Sequence, residues 1–267
     1  MDKHNRQSFL GPNSEATLRS SRAVIIGLGG GGSHIGQQLA HIGVGNLFLI
    51  DPDTIDKEGT NLNRLIGGTE KDVEEETLKV EIAKRLIHSV DSKIQVHTFT
   101  TPWQENLPVL RDGDVVFGCV DGLMQRRDIE SATRRFMTPY IDIGMDVHEI
   151  GSRYSVSGQV TLSMPGRPCM KCMGIIRDDH LADEAALYGA AGSRPQVVWS
   201  NGVLASAAVG LFMQLITPWA ADDEPVTLLE YDGNRQTLTP SGKLKYLDQV
   251  SCDHYIHPVE VGDPFLK

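Results

Sequence analysis

Seven consecutive residues near the start of the chain constrain its fold more than any others. Gly27-Leu28-Gly29-Gly30-Gly31-Gly32-Ser33 directly follows the apolar run Arg22 to Ile26 and precedes Ile35, Leu39 and Ile42, which recur at helical spacing. A strand turning through glycine into a helix opens a β–turn–α–β unit. Leu47 to Ile50, ending in Asp51, supplies its second strand. Glycine permits the tight turn and the close approach of a phosphate, while the helix N-terminus offers N–H donors and a favourable dipole. The unit predicts a nucleotide site without saying which nucleotide. Asp51 lies about 20 residues beyond the loop, where an acid accepts hydrogen bonds from a ribose, so an NAD-dependent dehydrogenase is one reading.

The pattern continues. Val73, Leu78, Ile82, Leu86 and Val90 spell one further helix, and Ile94 to Phe99 a strand. Asp114 to Val120 is continuously apolar, as a buried parallel strand requires. Arg126 to Phe136 reads as a helix and Tyr140 to Ile143 as a short strand. This alternation predicts an α/β, Rossmann-like doubly wound sheet, parallel in its first half. Tyr154 to Leu162 alternates apolar and polar residues, which predicts an antiparallel extension in the second half. Asp178 to Pro195 reads as a long loop with a short helix around Asp183 to Tyr188. Val203 to Ile216 is a buried apolar helix, Thr227 to Tyr231 a strand, and the tail irregular. The 267 residues are expected to form one domain: an N-terminal arm (1–20), a nucleotide-binding half (21–145), a second half (146–238) with a long loop at about 173–198, and a C-terminal tail (239–267).

Charge narrows the ligand. A net charge of −10 argues against a general nucleic-acid binder. Arg126, Arg127, Arg134 and Arg135 have helical spacing and read as a solvated face. There is no run of about 18 apolar residues and no apolar leader in Met1 to Leu10, so no membrane segment is expected and the cytoplasm is the expected compartment. Asn61-Leu62-Asn63-Arg64 follows Asp51 and Asp53, and Lys79 heads the next helix. A triphosphate needs such cations more than a dinucleotide does. Asp121, ending the Asp114–Val120 strand, stands where a carboxylate can hold Mg²⁺ between phosphate oxygens. The bland alternatives are surface charges at Arg64 and Lys79 and a helix N-cap at Asp121.

The set GLGGGGS, LIDPD, NLNR, Lys79 and GCVDG around Asp121 resembles the ThiF/MoeB/HesA family, within the superfamily of ubiquitin-activating enzymes. The resemblance runs from Asn5 to Cys252, with the motifs in the family's order and at similar spacings. It implies ATP- and Mg²⁺-dependent adenylation of the C-terminal glycine carboxylate of a ubiquitin-like or sulfur-carrier protein, or of a peptide, with release of pyrophosphate. It implies that Gly29, Gly30, Gly32 and Ser33 cradle the nucleotide and that Asp51, with Asp53 beside it, holds the ribose. Asn61, Arg64 and Lys79 then face the phosphates, and Asp121 binds Mg²⁺. Family members are dimers in which the Arg of an N-terminal Arg-Gln pair enters the partner's site. Arg6-Gln7 resembles that pair, so Arg6, Arg64, Lys79 and Asp121 are the candidate catalytic residues.

The chain also departs from the family. Many relatives carry a catalytic cysteine in the crossover loop, whereas Met173 to Val198 contains none. Cys119, inside a buried strand, is a poor substitute because a buried thiol is inert. Cys169-Met170-Lys171-Cys172 resembles the first half of the family's zinc site. The second half reads Cys252-Asp253-His254-Tyr255, with His257 beyond, so Cys169, Cys172 and Cys252 with His257 (or His254) would form a structural Zn²⁺ site. Degenerate, metal-free cysteines are the alternative. Asp146 and His148 follow the Tyr140–Ile143 strand and are either substrate contacts or ordinary turn residues. Two other functions compete: a tRNA threonylcarbamoyladenosine dehydratase-like enzyme, disfavoured by the net charge and the cysteine pair, and a nucleotide-binding scaffold, whose expected mark is loss of Arg64, Lys79 or Asp121.

Overall fold

A computed structural model describes residues 5–186, 195–220, 223–247 and 252–255. The elements in chain order are α1 (Ser14–Ser20), β1 (Arg22–Ile26), α2 (Gly30–Ile42), β2 (Asn46–Ile50), α3 (Glu70–Glu74), α4 (Lys79–Val90), β3 (Gln95–Phe99), α5 (Leu107–Asp112), β4 (Val115–Gly118), α6 (Leu123–Arg135), β5 (Tyr140–Ile150), β6 (Arg153–Ser163), α7 (Asp178–Ala186), α8 (Val198–Ile216), β7 (Leu228–Asp232), β8 (Thr237–Pro240) and α9 (Leu244–Leu247). They build one sheet in the order β3-β2-β1-β4-β5-β6-β7-β8. The first five strands in that order are parallel, and β5 to β8 are antiparallel, as the change in sequence pattern predicts.

Successive side chains of a strand point to opposite faces, and here both faces are covered. Ala23 and Ile25 of β1 join a core with Ile35 and Leu39 of α2, Val80 and Ile87 of α4, and Leu204 and Phe212 of α8. Val24 and Ile26 pack on the other face with Leu110 of α5 and Ile129 of α6. Chain order reverses between β1 and β4, and that switch point is where an open α/β sheet leaves a crevice beyond its carboxyl edge.

Several sequence expectations change: the short helix read around Asp183 to Tyr188 is α7, starting at Asp178, and the tail read as irregular holds α9. The helix predicted through Val73 and Val90 is two helices, because Glu76 takes a left-handed backbone (φ 51°) and Leu78 pairs with Thr54 in an isolated β-bridge. That break brings Lys79 to the start of α4, its N–H 3.0 Å from the Asp53 carbonyl oxygen. β5 runs on to Ile150, paired with β6 throughout, so Asp146 and His148 lie within the strand and not after it. Arg126 and Arg134 are buried rather than part of a solvated face. Finally, α8 begins five residues before Val203 and, among the described residues, is the one helix long and apolar enough to cross a membrane; half of it is buried in the domain.

Candidate functional site

The glycines of the β1–α2 turn have different causes. Gly27 has φ +87°, a conformation that L side chains rarely adopt. A Cβ on Gly32 would collide with the Gly27 carbonyl oxygen, one on Gly31 with Ile143, and one on Gly30 with the Asn201 amide. Those three are crowded by the protein's own packing, Gly32 by backbone and the other two by side-chain tips that would have to shift. Gly29 is not, since nothing lies within 4 Å of where its Cβ would be. It is the N-cap of α2, and no side chain caps that helix. Open space before an uncapped 13-residue helix fits a phosphate, which would take the orphan N–H groups.

Ser33 serves the frame. Its buried hydroxyl donates to Gly30 O (3.1 Å) and accepts from Ile66 N (3.0 Å), tying α2 to the loop that carries Asn61 and Arg64. In that loop the Arg64 guanidinium donates to Asn61 Oδ1 at 2.7 Å. A small apolar cluster of Ile55, Leu65 and Ile82 lies beneath it. Asp72 closes the far side, receiving Thr69 in a capping box and both terminal nitrogens of Arg85. Arg85 and Thr69 hold the Asp72 carboxyl well below the usual range.

The buried Asp51 carboxylate accepts from Leu28 N (2.6 Å) and Asp53 N (2.9 Å), which locks the glycine turn to the end of β2. Burial raises its pKa above the ordinary 3.8, while the charge of Lys79 partly offsets this. The consequence has a definite sign. Between 3.8 and the raised value the folded chain binds more protons than the unfolded one, so this group's contribution to stability falls as pH rises through that window. A ribose hydroxyl held by Asp51 would donate to the carboxylate form. Nucleotide affinity is therefore expected to weaken on acidification with a midpoint above 3.8, and Asp51→Asn should remove that midpoint; calorimetric ATP titrations across pH check both.

Asp53 is the counterion of Lys79, with Nζ to Oδ2 at 2.8 Å, the lysine side chain 13% and the carboxylate 65% exposed. Asp121 lies just past β4, exposed, with Oδ1 accepting from Gln196 Nε2 at 2.8 Å. It is not an N-cap: that position belongs to Gly122. Instead Glu184 of α7 accepts from Leu123 N (3.1 Å) and Met124 N (3.0 Å) at the start of α6. An exposed carboxylate at this edge is the kind of hard oxygen donor that could hold Mg²⁺. Glu184, Gln196 and Asn201 were missed in the sequence; only Asn201, a polar residue in an apolar helix, carries a signal there.

Arg6 is not brought to this site. It is exposed, in a 3-10 turn spanning Asn5–Leu10. Phe9 of that turn meets Trp219, beyond the C-terminal end of α8, ring edge to face at 6.1 Å. Asn201, above the glycine turn, is near the opposite end of this 19-residue helix, which is about 28 Å long.

A second cluster lies elsewhere. The ligand atoms of Cys169, Cys172, Cys252 and His254 fall within 4.8 Å of one another. Cys169 and Cys172 Sγ are 3.6 Å apart and stand 3.4 and 3.3 Å from His254 Nδ1. Zn–S bonds of about 2.3 Å and a Zn–N bond of about 2.0 Å in a tetrahedron put ligand atoms roughly 3.5–3.8 Å apart, so the set fits Zn²⁺. His254 fills the fourth position; His257 lies outside the described residues. The Tyr255 hydroxyl instead reaches Glu130 Oε2 at 3.3 Å, and Arg134 stacks 4.9 Å over its ring.

A ThiF family model matches residues 2–252. The SAMP-activating enzyme E1 of Haloferax volcanii is 28% identical over 178 residues, 65% of this chain and 62% of its own. The sulfur carrier protein ThiS adenylyltransferase of Bacillus subtilis is 29% identical over 177 residues, 64% of this chain and 50% of its own. The molybdopterin-synthase adenylyltransferase of Escherichia coli is 29% identical over 184 residues, 65% of this chain and 68% of its own. The matches thus span from half to about two thirds of these relatives. Crystalline E. coli MccB with ATP has the same fold, with a TM-score of 0.70 at 21% identity over 90% of this chain and 71% of that one.

Proposed function

The chain belongs to the ThiF family, and from that premise we propose that it is an adenylyltransferase acting on the C-terminal carboxylate of a ubiquitin-like or sulfur-carrier protein, or of a peptide. The observation that carries this reading is the grouping, around one switch point, of the open Gly29 at an uncapped helix, Lys79 paired with Asp53, and Asp121. In the proposed reaction a carboxylate oxygen bonds to the α-phosphorus of ATP. The bond from that phosphorus to the bridging oxygen breaks, and pyrophosphate leaves with the electron pair. No protein nucleophile is required, only positioning and charge stabilisation. Lys79 and Arg64 would neutralise phosphate oxygens, Lys79 exchanging its Asp53 partner for them. Asp121 would hold Mg²⁺, whose charge assists departure of pyrophosphate. Cys119 lies past the end of β4 and is half-buried, not inside the strand as its apolar run suggests; desolvation still pushes its thiol well up, with the Asp142 and Asp121 charges adding to the effect, so it is a poor acyl acceptor. The reading therefore ends at the adenylate.

We assign Arg6 to the site of a second copy. The exposed Trp199 and Val203 on α8, with Ser206 and Gly210 on the same side, give that copy an apolar face to cover. Arg6→Ala and Asp121→Ala chains should each be inactive in exchange of labelled pyrophosphate into ATP with a glycine-ending carrier. Mixed, they should recover about a quarter of parental exchange, because half of the pairs are mixed and each holds one complete site. Full inactivity of the mixture would rule out Arg6 in trans. No exchange by the parent chain with any such carrier would rule out adenylation.

A further inference from the structure

Arg126, in the first turn of α6, is 5% exposed. Its guanidinium is paired with the fully buried Asp142 of β5: Nε donates to both carboxylate oxygens at 3.0 and 3.1 Å, and Nη2 donates to Oδ2. The Tyr140 hydroxyl donates to Asp142 Oδ1 at 2.9 Å. Glycines make the room. A Cβ on Gly144 would collide with Gln159 Nε2 and stand 2.8 Å from Arg126 Nη2, and one on Gly118 would collide with Tyr140. A buried ion pair is a weak source of stability, since desolvation rivals the attraction between the charges. Its location suggests another use. Asp142 is the register partner of Gly118, the last residue of β4. Arg126 N donates to Gly122 O at 3.0 Å, closing the first turn of α6 on the residue next to Asp121. Asp121 therefore hangs between the end of β4 and a helical turn clamped to β5.

We propose that Arg126, through Asp142, is a positioning residue for Asp121: the buried pair fixes where the Asp121 carboxylate stands at the sheet edge and so sets the site's affinity for a divalent cation with nucleotide. This rests on the reading of Asp121 as the cation ligand. Related pairing at the other end of α6, where Arg134 and Glu130 meet Ser163 and the Met170 N–H, faces the cysteine cluster and leaves Asp121 untouched.

The test uses Mn²⁺ as probe, titrated by electron paramagnetic resonance in the presence of α,β-methylene-ATP. The double variant Arg126→Gln with Asp142→Asn removes both charges and keeps hydrogen-bonding groups, and Arg126→Lys keeps the charge but not the fork. The double variant should weaken Mn²⁺ binding at least about tenfold, the usual effect of losing a residue that orients a metal ligand. Metal-free nucleotide should bind as in the parent. The Mg²⁺ concentration for half-maximal pyrophosphate exchange should rise in step, with the maximal rate restored at saturating Mg²⁺. If the double variant does not fold, Arg126→Lys should show a smaller shift in the same direction. Unchanged Mn²⁺ affinity in folded variants of an exchange-competent chain would overturn the positioning role alone. A parent chain with neither exchange nor Mn²⁺ binding would overturn it together with the adenylation reading.

Discussion

Gly32→Ala and Gly29→Val are expected to fail in opposite ways. Alanine at 32 sets a methyl against the carbonyl oxygen of Gly27, a backbone atom held in turn by the hydrogen bond from Gly27 N to Ile50 O at 2.9 Å. Neither side can yield without moving α2 off β1. The cost should reach the upper end of the roughly 1–3 kcal/mol seen for overpacking, or exceed it, and appear as a lowered Tm or insoluble protein. Valine at 29 meets nothing within 4 Å, although it must take the φ −72°, ψ −144° backbone of Gly29, which lies outside the broad β well. It should cost about 1–3 kcal/mol, from that backbone conformation and a poorer N-cap, and leave a folded chain. It would, however, fill the space before the first N–H groups of α2, and ATP affinity should fall by at least about a hundredfold, roughly 2.7 kcal/mol. Thermal melts paired with ATP titrations separate the two. A Gly29→Val chain that binds ATP like its parent would remove the phosphate from this turn.

The second large effect belongs to the cysteine cluster. The purified chain should carry about one Zn²⁺ per molecule, and a strong chelator should lower its Tm by about 10 °C or more. That is the scale of about 3 kcal/mol in a domain of this size, a modest share of what structural Zn²⁺ contributes in small domains. The cluster joins the segment containing Cys169 and Cys172 to 252–255, and Tyr255 in turn reaches Glu130 of α6, so losing it would release the tail and uncover a buried carboxylate. Cys252→Ala and His254→Ala should both lose the metal, His254→Cys should keep it, and His257→Ala should be silent. Elemental analysis alongside melting curves decides this; a metal-free chain whose Tm ignores chelator would contradict it.

Backbone demands that depend on residue type were legible in the sequence. The strand–glycine–helix unit, Asp51 and the alternation that turns antiparallel after β5 all read directly, because a local rule links each to its geometry. What could not be read depends on distant partners. Gly30 and Gly31 are crowded because Asn201 and Ile143 arrive from α8 and β5. Arg126 and Arg134 have the spacing of a solvated helix face, yet they are buried because Asp142 and Ser163 meet them from neighbouring strands. The break between α3 and α4 falls at Glu76, a residue that does not announce a left-handed backbone as glycine would. The choice between His254 and His257 is likewise one of closure geometry, which spacing alone leaves open. In the site, residue types marked Lys79 and Asp121, but not that Asp53 neutralises the first or that Gln196 and Glu184 cover the second and the adjoining helix end.

The most direct test of adenylation is the identity of the nucleotide products. The chain, Mg²⁺ and ATP are incubated with a glycine-ending carrier protein, and nucleotides and carrier are followed by chromatography and intact mass. Attack at the α-phosphorus predicts pyrophosphate, never ADP, and a carrier bearing one AMP on its C-terminal carboxylate, with free AMP appearing only as water hydrolyses that adenylate. All of this should vanish with Asp121→Ala or with a C-terminally amidated carrier. Formation of ADP and phosphate, or equal turnover on the amidated carrier, would contradict it.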